Sequence, residues 1–249
     1  MWREVVNDVR FRQAISHAID REEIIDSVYL GFAEKTPLIP AEYDPDAASA
    51  LLDEIGLDQR DSAGYRMGPD GDTFHLYLEV ANHRGDFIPT VELITEHLDE
   101  IGLRTTMNQN SIELQGQRQA ANEAMTSYGW FHSPLWGGEI VTDFLPGNFG
   151  WGQAWATWRT TQGAEGEEPP GWVKELYAIY DTRVASVPES PEYVAATERL
   201  HEIYWEMIPA IAVVNITDMM VANRNLGNIP HGGTEMSQKR SGSQYFFRE

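Results

Sequence analysis

Residues 74–107 read FHLYLEVANHRGDFIPTVELITEHLDEIGLRTTM, and the change of period inside that stretch decides the fold class. Phe74, Leu76, Leu78 and Val80 recur at every second residue, the spacing of a strand with one buried face. From Pro89 to Ile101 the spacing lengthens: Val91, Ile94, Leu98 and Ile101 fall on one side of a helix, which Gly102 ends. A second strand is predicted from Leu103 to Met107. Strand, helix and strand in so short a span is the pattern of an α/β domain, where helices cross between strands of one sheet.

Working outward, the Pro69-Asp70-Gly71 turn delivers the chain into the first strand and implies a hairpin. The expected sheet is therefore mixed, with flanking helices. Asp44-Pro45 supplies a cap and an N1 proline for a helix carrying Ala48, Leu51, Leu52 and Ile55, with Gly56 as its stop. Nearer the start, Asp8 caps a helix whose inner face is Phe11, Ala14, Ile15, Ala18 and Ile19. Asp20 and Glu23 then read as a capping box for a helix with Ile24, Ile25 and Val28, and Gly31 follows as a C′ residue.

On the other side, Ser111–Ala124 reads as a helix and Met125–Trp130 as a strand. Trp172–Ala185 and Glu192–Met207 read as two long helices, and AIAVVNI (210–216) and MMVANRN (219–225) as late strands. Between them, 131–171 shows little regular period and is expected to be a long aromatic loop within a single lobe spanning residues 1–249. Loops of that length in compact domains are usually functional or disordered, and this one holds too many tryptophans for disorder.

Composition narrows the function classes. With 249 residues, 42% hydrophobic, the chain can bury a substantial core. Its net charge of −21 repels phosphate backbones and anionic lipid, so no nucleic-acid partner is expected. The absence of cysteine excludes disulfides, thiolate metal sites and a cysteine nucleophile. No apolar run is long enough to span a bilayer, and MWREVVNDVRFRQ lacks the apolar core of an export signal. The acidity itself fits either a salt-adapted source or an exported protein.

Four segments, DVRFRQAISHAIDREEII (8–25), YDPDAASALLDEIGL (43–57), GPDGDTFHLYLEV (68–80) and LDEIGLRTTM (98–107), follow one another in an order that resembles the C-terminal lobe of the family 5 extracellular solute-binding proteins. These are the oligopeptide, dipeptide, nickel and oligosaccharide receptors of ABC importers. The resemblance runs from about Asp8 to about Pro230. It implies a type II periplasmic-binding-protein fold and a receptor that is not an enzyme and needs no cofactor. It further implies an N-terminal lobe and signal peptide not included in this chain, partnership with ABC permease subunits in the membrane, and a periplasmic or extracellular location, with a cell-surface lipoprotein as one form.

The resemblance also places the ligand site. In the peptide receptors a strand ends in Gly-Trp, with an aspartate three residues after the tryptophan that pairs with the peptide's α-amino group. Gly129-Trp130 fit, but position 133 is Ser133, beside His132. That departure weakens recognition of a free N-terminus. The segment from 155 to 172 resembles the branch that includes oligosaccharide receptors, so the expected solute is an oligopeptide or an oligosaccharide. The expected ligand-binding residues are Trp130, Phe131, His132, Ser133, Trp136, Asn148 and Trp151.

Blander readings stand beside these. Trp151, Trp155 and Trp158 suit core packing as well as a cleft wall, where ring faces stack on apolar faces of a solute. His132 can donate to a ligand oxygen or hold a metal, or be structural; the other histidines show no metal-ligand spacing, and no metal site is expected. The alternative of another class is a carbohydrate hydrolase using loop carboxylates, Glu139 with Asp143 or the cluster Glu165, Glu167 and Glu168. A scaffolding domain is a third reading, and it requires a large exposed apolar patch.

Overall fold

The computed structural model describes residues 2–35, 42–129, 145–147, 150–216, 223–227 and 246–247. They fall into two units, Met1–Ile216 and Thr217–Glu249. In the smaller one, β6 (Leu226–Gly227) pairs antiparallel with β7 (Phe246–Phe247). Asn223–Asn225 form the turn entering β6, so the described end of the expected 219–225 strand is a turn.

The larger unit opens with three short helices, α1 (Trp2–Asn7), α2 (Val9–Ala18) and α3 (Arg21–Ser27). Asp8 caps α2 by accepting from the Arg10 amide at 2.9 Å. Asp20 caps α3 by accepting from the amides of Glu22 and Glu23, both at 3.0 Å. The reciprocal half of the expected capping box is replaced. Glu23 takes the Nε2 of buried His97 at 2.8 Å, and the Asp20 amide faces His97 Nδ1 at 3.4 Å. α3 has its C-cap at Val28, and both Leu30 (φ 52) and Gly31 (φ 79) are left-handed, so Gly31 has the expected conformation but lies three residues past the cap instead of directly after it.

β1 (Ala33–Glu34) precedes α4 (Pro45–Glu54), whose start is capped by Asp44 accepting from the Ala47 amide at 2.9 Å. Leu52 and Ala48 of α4 and Phe11, Ala14 and Ile15 of α2 meet in the first core. Fully burying a Leu or Phe side chain contributes about 1.5–3 kcal/mol each.

The decisive stretch forms as read. β2 (His75–Ala81), α5 (Phe87–Glu100) and β3 (Arg104–Asn110) follow in order; α6 (Ile112–Ala120) then leads to β4 (Thr126–Tyr128). The sheet order is β3-β2-β4, and both pairings are parallel. Helical crossovers return the chain to the same end of the sheet, which makes neighbouring strands parallel. The antiparallel component lies outside this sheet: β1 pairs with β5 (Asn215–Ile216), and the expected hairpin closes only as the bridge Met67↔Thr73. The α/β class holds, with the central sheet parallel. Leu76, Leu78 and Val80 face the first core with Val91, Ile94 and Leu98 of α5, while α6 packs on β2.

The second half is helical. α7 (Gln153–Thr160) lies inside the segment expected to be a loop. Its cap is Gly152 in the left-handed region (φ 61) with no side-chain hydrogen bond, so the sequence offers no conventional start signal. α8 (Gly171–Ala185) and α9 (Pro191–Met207) pair around a second core of Val173, Leu176, Leu200 and Ile203. Of the expected strand 210–216, only β5 is paired. Ile211, Val213 and Val214 instead cover the first core, and the Ala212 carbonyl accepts from the Arg21 guanidinium at 3.3 Å.

Candidate functional site

Because the three strands are parallel, their carboxyl ends share one edge, the position where open α/β sheets bind ligands. β2 leaves that edge through Asn82–Asp86, β3 through Asn110 and the α6 cap Ser111, and β4 through Gly129.

The end of β4 is held from three sides. The Tyr128 ring stands edge-on to Phe87 at 5.1 Å, and its hydroxyl joins those of Tyr29 and Thr90. Tyr29 in turn donates to Asp86 Oδ2 at 3.1 Å. Burial pushes both phenols above their ordinary pKa, so both stay neutral donors at physiological pH. From α6, Gln115 Nε2 donates to the Tyr128 carbonyl at 3.2 Å and Gln119 Nε2 to Ser127 Oγ at 2.7 Å. The chain therefore enters Gly129 from a fixed platform.

Beside this edge lies a feature that sequence patterning missed. Glu79, on the face of β2 opposite the core, is 1% exposed. Arg118 of α6 donates to it through Nε at 2.9 Å and Nη2 at 2.7 Å, and Asn110 Nδ2 adds a bond at 3.2 Å. The hydrogen bond to Glu79 raises the Arg118 pKa above its usual value, so the guanidinium stays charged. Next to it a cavity of about 410 Å³ is lined by Glu79, Met107–Asn110, Leu114 and Arg118. The available signal was Glu79 itself, a charge flanked by Leu78 and Val80 in a strand.

Of the expected site residues, Trp130, Phe131, His132, Ser133, Trp136 and Asn148 lie outside the described residues, as do Glu139 and Asp143. Trp151 is described. Its ring stacks on Trp172 at 6.1 Å and 4°, and Trp155 meets Trp172 edge-on at 6.1 Å. Both pack against the second core. Trp158 lies under Lys174 Nζ at 5.7 Å. Trp151 does not line the Glu79 cavity.

Glu165, Glu167 and Glu168 are exposed, and the last two pair with Arg3 and Lys174. Among the described residues no group of three or more His, Asp or Glu side chains is arranged to hold a metal ion, and no helix is long and apolar enough to cross a membrane.

Comparison with known proteins gives this arrangement a context. The family model described as bacterial extracellular solute-binding proteins, family 5 Middle, matches residues 2–150. Among solved structures, an oligopeptide-binding protein OppA superposes with a TM-score of 0.74 at 28% identity, covering 87% of this chain and 39% of that one. The periplasmic binding protein MelB from Agrobacterium fabrum, in complex with stachyose, gives 0.72 at 18% identity over 86% of this chain and 34% of its own. NikA from Brucella suis, in complex with Fe(III)-EDTA, gives 0.70 at 18% identity over 90% and 45%. This chain therefore spans less than half the length of each. No curated protein sequence matches it. The family match takes in the parallel sheet, the Tyr128 platform and the Glu79 pair, and with well over half the chain matched, this polypeptide belongs to the bacterial extracellular solute-binding proteins of family 5.

Proposed function

We propose that this chain is the C-terminal lobe of a hinged receptor for an ABC importer. It captures an oligopeptide or an oligosaccharide between itself and an N-terminal lobe of the same protein, and performs no chemistry on it. The observation that carries the reading is the coincidence of the matched residues 2–150 with the parallel sheet whose carboxyl edge leads into Gly129-Trp130. The two solute classes correspond to relatives of the same fold, an oligopeptide-binding protein and a protein complexed with stachyose.

In this reading closure excludes water from the solute's apolar faces, and the closed form docks on permease subunits outside the cytoplasmic membrane, as a free periplasmic or extracellular protein or a lipoprotein. Trp130 and the segment after it supply the wall. One lobe retains few of the closed-state contacts, so the 249-residue chain binds weakly and its fusion to the N-terminal lobe binds tightly. Calorimetric titration of both forms with tetra-alanine and with neutral tetrasaccharides tests this. Equal affinity of the two forms, or cleavage of either solute detected by mass spectrometry, refutes it.

A further inference from the structure

The Glu79–Arg118 pair by itself explains why α6 lies on β2, but it does not account for what surrounds the cavity. Glu79 is in register with Asn108, and Ala81 with Asn110, so Asn108 and Asn110 share the Glu79 side of the sheet. Asn110 is committed to Glu79 at 3.2 Å. The side-chain amide of Asn108 bonds to no other described residue, and Asn108 lines the cavity, whereas Gln109, in register with Val80, points its side chain to the other side of the sheet. On the α6 side the lip is Leu114, an apolar residue 45% exposed. Arg118 Nη1 makes only a 3.5 Å contact with Glu123.

The charge balance selects the ligand. Both Glu79 oxygens accept from Arg118, and one also from Asn110, so no free carboxylate is left for an ammonium group. The guanidinium is likewise neutralised, and a chain of net charge −21 disfavours an anion. What is left is the Asn108 amide, with two donors and an acceptor, a spare guanidinium N–H, and an apolar lip. That set matches vicinal hydroxyls on one edge of a ring and C–H groups on its face. The volume of about 410 Å³ falls within the ~300–1,000 Å³ range of small-molecule sites.

We propose that this cavity is a subsite for one uncharged sugar ring, with Asn108 and Arg118 bonding its hydroxyls and Leu114 covering its C–H face. It rests on the receptor reading and narrows the solute to an oligosaccharide.

The test follows the side-chain amide signals of the 15N-labelled 249-residue chain during titration with cellotetraose, stachyose and, separately, tetra-alanine, each to tens of millimolar. At least one tetrasaccharide shifts the Asn108 side-chain signals saturably. The Asn108→Ala variant, with unchanged circular dichroism, loses at least tenfold in affinity for it. Tyr177→Phe, in the second core, does not change the titration. Saturable binding of tetra-alanine with the Asn108 amide unmoved by either sugar overturns the subsite and leaves the receptor reading standing. No saturable response to any of the three also overturns the subsite alone, because the receptor reading itself expects an isolated lobe to bind weakly. A sugar response that survives the substitution overturns the subsite alone.

Discussion

Replacing Arg66 by methionine tests whether a buried guanidinium holds the ends of two helices beside the sheet. Arg66 is 1% exposed. Its Nε donates to the Ile101 carbonyl at 2.9 Å, Nη1 to the Leu57 carbonyl at 2.7 Å and Nη2 to the Ser49 carbonyl at 3.2 Å, and Nη1 also pairs with Asp53. These acceptors belong to α4, the turn after it, and the end of α5. Methionine fills much of the volume but donates nothing. Ile101 keeps a weaker bond from Arg60 at 3.3 Å, while Leu57 loses the side-chain donor described here. Leaving a buried carbonyl unsatisfied costs about 1–3 kcal/mol, and the weakened bonds at Ile101 and Ser49 add to that; relief of guanidinium desolvation offsets part. The net expectation is a loss of about 2–4 kcal/mol, large against the ~5–15 kcal/mol stability of a typical domain. Urea unfolding followed by tryptophan fluorescence and far-ultraviolet circular dichroism reads it. With a slope of about 2–3 kcal/mol per molar, the midpoint drops by roughly 1 M. Arg66→Lys, which keeps the charge but loses the fork, falls between the two. A methionine variant within about 0.5 kcal/mol of the parent refutes the reasoning, because that is the scale of an unremarkable surface change.

Tyr177 and Asp20 give two further outcomes. The buried Tyr177 hydroxyl has no hydrogen-bond partner among the described residues, so Tyr177→Phe is neutral or stabilising at pH 7, checked by thermal unfolding; a clear loss of stability contradicts it. Burial pushes the Tyr177 pKa up to about 12, so the neutral phenol's contribution is complete below pH ~10 and is lost as pH rises towards 12; the phenylalanine variant shows a shallower alkaline loss over that window. Asp20→Ala removes the acceptor for two α3 amides and costs about 1 kcal/mol by urea unfolding, whereas Asp20→Asn recovers most of it.

Elements with explicit punctuation were legible in the sequence. Asp8 and Asp44 each cap the helix expected of them, and the period-two run from Phe74 to Val80 is buried at every second position. What escaped was decided by distant partners. α7 begins at a left-handed glycine without a side-chain cap and is held by packing on α8. The 210–214 segment has a strand's composition but spends the Ala212 carbonyl on Arg21, a partner 191 residues away. The Gly129-Trp130 pattern is visible in the sequence, but Trp130 lies outside the described residues; the Glu79–Arg118 pair escaped because it joins residues 39 apart that only the β3 and α6 crossover brings together. The role of the tryptophans is not legible from composition, since stacking surfaces for a solute and for a neighbouring ring are built from the same residue type.

The reach of Arg12 bears on how this protein comes off the ribosome. Its guanidinium donates to the Met207 carbonyl at 2.9 Å, across 195 residues of sequence. At translation rates of about 5–20 residues per second, that carbonyl is made roughly 10–40 s after the arginine. Until then the opening helices cannot take their final seat, and Phe11 and Ile15 lack the Val213 and Val214 that later cover the same core. Made early within this lobe and seated late, the segment around Phe11 is a part of it that needs shielding during synthesis, by the ribosome tunnel's vicinity or by a holding chaperone, before the native state closes over it.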